Sequence, residues 1–300
     1  MTATSTATSP AEHRAALAEL LRARLDAPRF AECVALVEEQ DDAALLRALS
    51  QLERRSGARA LIAGFAARER AAVDGVWGAV FVGRWSLASA AKVWVLASRC
   101  GERAGSYQAL FSLYDQGDTQ IREACLRALN FCRDPEPEVG LQLINDAGRT
   151  YLSGLMAAAW CDNPYSALHL SDDAYRKAVM KALFCEVPVE RFLRLEERAD
   201  AELAERLWEY ADEREAAGRP VPDMVWVIAA RHPRPGLVGR LLGRLEHPDR
   251  GQRQVAVRAL QSALDPRSES FLEERYLREE DPALRAEIES LLEQLRARAR

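Results

Sequence analysis

The residues with the clearest chemical potential lie in residues 163–184, which read NPYSALHLSDDAYRKAVMKALF. His169, Asp172 and Asp173 are close enough in sequence to form an acid/base or metal site. The segment has no second histidine four residues away, as on a zinc-binding helix, and no cysteine pair. We therefore expect no metal or other cofactor. An enzyme that acts on a hydrophobic metabolite through a polar cluster around His169 stays open as an alternative.

Other short motifs lack the context that their chemistry needs. Ser89-Ala-Ala-Lys92 matches the S-x-x-K of penicillin-recognising enzymes, but no K-T-G follows it and the scaffold's strands are not predicted. Gly236, Gly239 and Gly243 fit neither a dinucleotide-binding nor a P-loop pattern, and GxSxG, HExxH and EF-hand motifs are missing from the sequence. We therefore expect no catalytic residues and favour a non-catalytic protein.

A recurring helix start indicates the architecture. The pattern D-x-x-x-R-x-x-Φ-x-x-[AL]-L, where Φ is small or apolar, begins at Asp118, Asp249 and Asp281, and the last two copies are 32 residues apart. The Asp caps the helix, and the Arg can bond back to that Asp or reach the Asp of the next repeat. The apolar positions form one packed face. A repeat of this length predicts an all-α chain without strands, built as a right-handed α-solenoid of HEAT-like helical repeats.

The same pattern begins at Asp172 and, more weakly, at Asp200. The paired aspartates are therefore interpreted first as the start of a helix capped by Ser171 or Asp172. The preceding NPYSALHL is not explained by the repeat. Any function peculiar to this chain is expected there, at Asn163, Tyr165 and His169.

The most apolar stretch, residues 73–98, contains two cations, so it predicts a buried helical pair rather than a membrane span. Trp77, Phe81 and Trp85 are spaced i, i+4, i+8 and would make one helix face aromatic. That face is either core of the solenoid or the lining of a groove for a planar or isoprenoid-like ligand.

Composition and charge narrow the class of protein. Of the 300 residues 48% are hydrophobic and 29% charged, with a net charge of −5, which is typical of a soluble globular protein. Acidic residues interleave with the arginines, so a nucleic-acid-binding HEAT-like protein is the lesser alternative.

Residues 1–9 form a small polar tail that we expect to be disordered, unlike a secretory signal. The six cysteines show no metal spacing, which predicts reduced core thiols in a cytoplasmic protein.

One region resembles a known family. A dense series of motifs extends over about sixty residues. It consists of Asn163-Pro164 with His169 and Ser171, then KALF, Glu197-Arg198, YADER and EAAGRPVP. This series is similar to that of the EboA family. The resemblance implies a bacterial protein from a gene cluster for the biosynthesis or export of secondary metabolites, and it implies no particular reaction.

These observations combine into one hypothesis. Residues 1–9 are a tail, residues 10–232 an EboA-like helical domain, and residues 233–300 added HEAT-like repeats. The chain would act as a scaffold that binds a partner protein of the same pathway or a hydrophobic small molecule. Candidate ligand-binding residues are Asn163, Tyr165, His169, Asp173, Glu197, Arg198, Trp77 and Trp85.

Overall fold

Helices make up most of the chain in a computed structural model that describes residues 9–56, 59–62, 65–68, 71–101, 105–133 and 137–298. The predicted all-α class is confirmed, with one small hairpin as an exception. The predicted tail lies outside the described residues except for Ser9. The chain divides into two compact units, which meet in sequence at Leu193 and Arg194. The boundary expected near residue 232 stays a prediction.

The first unit contains eleven described helices, a two-stranded hairpin and two 3-10 turns. The helices are α1 (Pro10–Arg22), α2 (Ala27–Val37), α3 (Asp42–Ser56), α4 (Phe65–Arg68), α5 (Leu87–Cys100), α6 (Ser106–Gln116), α7 (Thr119–Ala128), α8 (Pro137–Arg149), α9 (Ser153–Trp160), α10 (Pro164–His169) and α11 (Asp172–Phe184). The strands are β1 (Ala72–Gly75) and β2 (Gly78–Phe81), and the turns are Leu129–Phe131 and Val189–Arg191.

The second unit contains six described helices and one 3-10 turn. They are α12 (Ala201–Ala216), α13 (Asp223–Ala229), α14 (Leu237–Leu245), α15 (Arg250–Ala263), α16 (Glu269–Arg278), α17 (Pro282–Arg298) and the turn Pro266–Ser268.

Short polar residues start the helices where the sequence predicts. Ser9 and Glu12 form a capping box at α1. The Asp118, Asp200 and Asp249 carboxylates each accept a hydrogen bond from the backbone N–H three residues on, at the starts of α7, α12 and α15. Ser171 caps α11 in the same way, so the paired aspartates lie in its first turn. These bonds satisfy N–H groups that have no partner within the helix.

The arginine of the repeat pattern behaves differently from the prediction. Arg122 donates to the backbone carbonyls of Tyr114 and Gly117 at the end of α6, at 3.1 Å each, rather than to Asp118. Arg253 likewise donates to the carbonyls of His247 and Pro248. The cation thus satisfies carbonyls at the end of the preceding helix, where the helix dipole is negative.

Residues 73–98 do not form the predicted helical pair. Residues Val73–Phe81 belong to an antiparallel hairpin whose register pairs Val73 with Val80, and only α5 is helical. Trp77 lies in the turn and Trp85 just before α5, so no shared aromatic helix face exists. Glycine explains the difference: Gly78 has φ +130°, and a Cβ on Gly75 would lie 2.7 Å from the Asn130 carbonyl oxygen. The Val76 N–H donates to that same oxygen, at 2.8 Å, and this holds the hairpin against the 3-10 turn after α7.

In the first unit the helices after the hairpin pack in a regular order. α5 packs against α7 and α7 against α9, while α6 packs against α8. Small residues such as Ala88 and Ala91 are buried on α5 and allow close approach of its neighbours. In the second unit α12 packs on α13, α13 on α15, and α15 on α17.

None of the helices in the described part of the chain has the length and apolar character needed to cross a bilayer. All six cysteines are among the described residues; five are buried in the core as predicted, whereas Cys185, at the end of α11, is half-buried.

Candidate functional site

Asn163 caps the start of α10 and bonds to the neighbouring backbone. Its side chain is 1% exposed and accepts a hydrogen bond from the Ser166 N–H, at 3.3 Å. Its amide nitrogen donates to the carbonyls of Ala158, at 2.9 Å, and Leu126, at 3.4 Å. These backbone contacts use both ends of the amide and fix the turn between α9 and α10.

Tyr165 lies in the core beside Asn163. Its hydroxyl donates to the Pro137 carbonyl at 2.6 Å, and its ring meets Tyr107 edge-on with centroids 5.6 Å apart. Its backbone N–H donates to the side-chain oxygen of Asn130, at 2.9 Å. The side chain is fully buried, so Tyr165 joins α10 to α6, α8 and the turn after α7.

His169 completes an aromatic cluster with Trp77 and Tyr165. Its ring lies 4.6 Å from the Trp77 ring in a T-shaped arrangement and 4.5 Å from the Tyr165 ring. Burial lowers the pKa of the imidazole from its ordinary value, so the ring is neutral at pH 7. Its Nε2 atom is buried without a hydrogen-bond partner, and the Trp77 indole N–H donates to the Leu129 carbonyl. Acid/base chemistry would need a second titratable group aligned with His169.

The remaining predicted residues lie elsewhere. Asp173 is on the exposed first turn of α11, where its carboxylate pairs with Lys177 at 2.7 Å. Glu197 and Arg198 belong to the second unit; Glu197 pairs with Arg194, and the Arg198 N–H donates to the Arg194 carbonyl. No cluster of three or more potential metal ligands occurs in the described portion of the chain.

Trp85 leads to a site that the sequence motifs missed. Its ring is 8% exposed and borders a cavity of about 220 Å³ between α5 and α7. Polar side chains from the start of α5 and from one face of α7 supply most of the lining. The lining residues are Arg84, Trp85, Ser86, Ser89, Lys92, Gln120, Glu123 and Arg127.

Helical spacing places these side chains. Ser89 and Lys92 are three residues apart on α5, while Gln120, Glu123 and Arg127 are spaced i, i+3, i+7 on α7. Residues at these intervals share a helix face, and α5 packs directly against α7. Ser89 and Lys92 are the serine and lysine of the S-x-x-K match, whose catalytic context is missing from the sequence.

The cavity side chains are joined by hydrogen bonds. Arg127 donates to the Ser89 hydroxyl at 3.0 Å and pairs with Glu123 at 3.2 Å, and its guanidinium lies over the Trp85 ring, 5.8 Å from the centroid. Burial lowers the pKa of Arg127, which the ion pair with Glu123 opposes, and the group remains charged. Lys92 is 1% exposed, and its ammonium donates to the Gln120 side-chain oxygen at 2.5 Å.

Asp118 caps α7 and lies close to the positive charge of Lys92. Burial alone would raise the pKa of Asp118. The Ser50 hydroxyl donates to its carboxylate at 2.7 Å, and this bond, the Ile121 N–H and the charge of Lys92 together lower that pKa. The capping carboxylate is therefore ionised at pH 7 and fixes the α7 start beside the cavity.

These contacts suit binding rather than nucleophilic catalysis. A nucleophilic serine needs a base that takes its proton, whereas Arg127, which holds the Ser89 oxygen, can only donate. Three cations, two hydroxyls and an amide can instead hold an oxygen-rich ligand against the indole of Trp85.

The fold and this cavity define a helical protein with a small polar cavity between two packed helices. The chain belongs to the EboA family: the sequence model of that family, described as "Metabolite traffic protein EboA", matches residues 31–230, two thirds of the chain. The resemblance noted in the sequence is confirmed. The matched range contains every cavity-lining residue and the Trp77, Tyr165 and His169 cluster. Neither the curated proteins nor the solved structures give a significant match.

Proposed function

We propose that this chain binds a small metabolite in the cavity between α5 and α7 without transforming it, and passes it on within a pathway. The observation that supports this proposal is the cavity itself, where Trp85 forms one wall and Lys92 and Arg127 supply charged donors. Ligand sites typically combine such an aromatic surface with a few convergent polar groups. The family's description as a metabolite traffic protein fits this role.

The proposal extends to the setting in which the protein works. The chain serves a bacterial secondary-metabolite biosynthesis or export pathway in the cytoplasm, and it delivers its ligand to a partner protein of that pathway. A HEAT-like solenoid offers extended surface for such a partner. The stacking order of α5, α7 and α9 beside α6 and α8 supports that architecture, as do the Asp-capped helix starts in both units.

Co-purification from the native host, with mass spectrometry of every retained small molecule and protein, tests this function. We expect the wild-type chain to retain a metabolite and Trp85→Phe to retain several-fold less of it, because the smaller ring removes part of the cavity wall. Tyr151→Ala is the aromatic control, since Tyr151 is 84% exposed and is not among the residues that line the cavity.

The retained compound is then incubated with fresh protein. Recovery of the unchanged compound agrees with a carrier. Its conversion to a product would refute the non-catalytic role, and retention of no metabolite at all would refute the binding role.

A further inference from the structure

We infer that the cavity between α5 and α7 recognises the phosphate group of its ligand, so that the carried metabolite is a phosphate ester or a diphosphate. This inference rests on the proposed function and names the chemical class of its ligand. Four features of the cavity support it: its charge, its depth, the orientation of its donor groups and its volume.

Charge is the first argument. Arg84, Lys92 and Arg127 line the cavity against one carboxylate, Glu123, which leaves two net positive charges in the lining. The ionised Asp118 carboxylate lies close to Lys92 and offsets one of these charges, so one net positive charge remains at the cavity. A phosphate monoester carries a charge of about −1.5 to −2 at pH 7 and is attracted by this excess of cations.

Depth is the second argument. Lys92 is 1% exposed, and its ammonium donates to the Gln120 side-chain oxygen, with the Asp118 carboxylate nearby. A charged donor at this depth interacts more strongly with an entering anion than a donor in open water does. The cavity also lies at the N-terminal end of α5, whose dipole adds positive potential.

Donor geometry is the third argument. Arg127 spans from Ser89 to Glu123 across the cavity, which holds its planar group in a fixed orientation. Arg84 is exposed near the rim, and its guanidinium lies over the Phe81 ring, 5.4 Å from the centroid. Guanidinium and ammonium groups together with hydroxyls are the donors that bind phosphate oxygens.

Size limits what enters. A volume of about 220 Å³ is below the roughly 300–1,000 Å³ of sites that enclose whole drug-sized ligands. The cavity therefore admits the head group, with Trp85 in contact with the atoms next to it, and the rest of the metabolite lies outside.

Calorimetric titration of the full-length protein with inorganic phosphate and with diphosphate tests the inference. We expect Lys92→Met to weaken binding about tenfold to a hundredfold, since a charge-assisted hydrogen bond is lost. Arg84→Gln should weaken it about two- to tenfold, and because Arg84 is exposed this variant leaves folding intact. Lys177→Gln, at a surface cation outside the cavity, is the matched control and should bind as wild type.

A pH comparison separates phosphate from carboxylate. Phosphate should bind more tightly at pH 7.5 than at pH 5.5, because its second ionisation lies near about pH 6. Acetate and benzoate are ionised at both values, so their binding would not change in this way. Tighter binding of these carboxylates than of phosphate would overturn the assignment.

Two further outcomes keep this inference apart from the proposed function. If a metabolite is retained from the host but neither phosphate nor diphosphate binds, the phosphate inference fails and the carrier role stands. If phosphate binds equally well to wild type and to Lys92→Met and Arg84→Gln, the inference also fails, since binding then occurs outside the cavity.

Discussion

Glu279 offers the sharpest test of how the second unit is held together. Its carboxylate is 0% exposed and accepts two hydrogen bonds from Arg253, at 2.8 Å each. It also accepts one from the Asp281 N–H, at 3.1 Å, and lies 3.3 Å from the Arg275 guanidinium. The bonds from Arg253 are the main cause that lowers the pKa of Glu279 from 4.5 to about 2. We predict that Glu279→Gln destabilises the protein, because it leaves two sheltered guanidinium groups without their carboxylate.

The magnitude follows from that pKa. A decrease from 4.5 to about 2 corresponds to roughly 3 kcal/mol at about 1.36 kcal/mol per tenfold change in proton affinity. Arg253 and Arg275 keep 11% and 12% of their side chains in water, which screens part of this interaction. We therefore expect Glu279→Gln to cost about 2 kcal/mol in the free energy of unfolding at pH 7.

The same contacts set the pH dependence. The folded-state pKa of Glu279 is depressed, so its stabilisation is complete above pH 4.5 and is lost as the pH falls from there towards about 2. Urea unfolding followed by circular dichroism, at pH 7, 4.5 and 3, measures the difference between wild type and Glu279→Gln. Hydrogen exchange of α15 and α16 locates the loss in the second unit.

Glu274→Gln is the control on the same segment. Glu274 is 68% exposed and pairs with Arg278 at the surface, so its replacement should cost less than about 0.5 kcal/mol. Equal effects of the two substitutions, or a penalty for Glu279→Gln that is the same at pH 3 and pH 7, would refute the reasoning.

Two other predictions concern the first unit. A Cβ on Gly140 would meet the Tyr165 hydroxyl, so Gly140→Ala should lower the free energy of unfolding by about 1–3 kcal/mol. The control is Gly239→Ala, where a Cβ would meet no neighbouring atom within 4 Å, and this variant should be neutral or slightly stabilising. Thermal melts of the two variants measure the difference. Burial, followed by the charge of Glu32, raises the pKa of the Cys33 thiol to about 11. Iodoacetamide at pH 7.5 should therefore label the half-buried Cys185 first, as read by peptide mass spectrometry, and early labelling of Cys33 would contradict this.

Local signals in the sequence were sufficient for several helix starts. Asp118, Ser171, Asp200 and Asp249 each cap a helix through a bond to an N–H three residues away. A bond of that range depends on neighbouring residues alone, so the pattern predicts it without knowledge of the rest of the chain. The family motifs between Asn163 and Val221 are likewise visible in the sequence and agree with the family match.

The hairpin could not be predicted in this way. The residues Val73–Trp85 are compatible with an apolar helix face, and their spacing suggested one. The hairpin prevails because Gly75 approaches the Asn130 carbonyl and Val76 donates to it, and Asn130 is more than fifty residues away in the chain. Tertiary contact thus decided between two local conformations that the sequence allowed.

The candidate site residues also fall into two groups, those that the sequence indicated and those that only the folded chain brings together. The sequence by itself determined the helical class, the caps and the family, because each depends on residues that are close in the chain. It also pointed to Asn163, Tyr165 and His169, and the structure places these in backbone contacts and an aromatic cluster. Only the tertiary structure brought Lys92 of α5 and Arg127 of α7 to one cavity, since packing of two helices, rather than any motif, sets the distance between residues 35 positions apart.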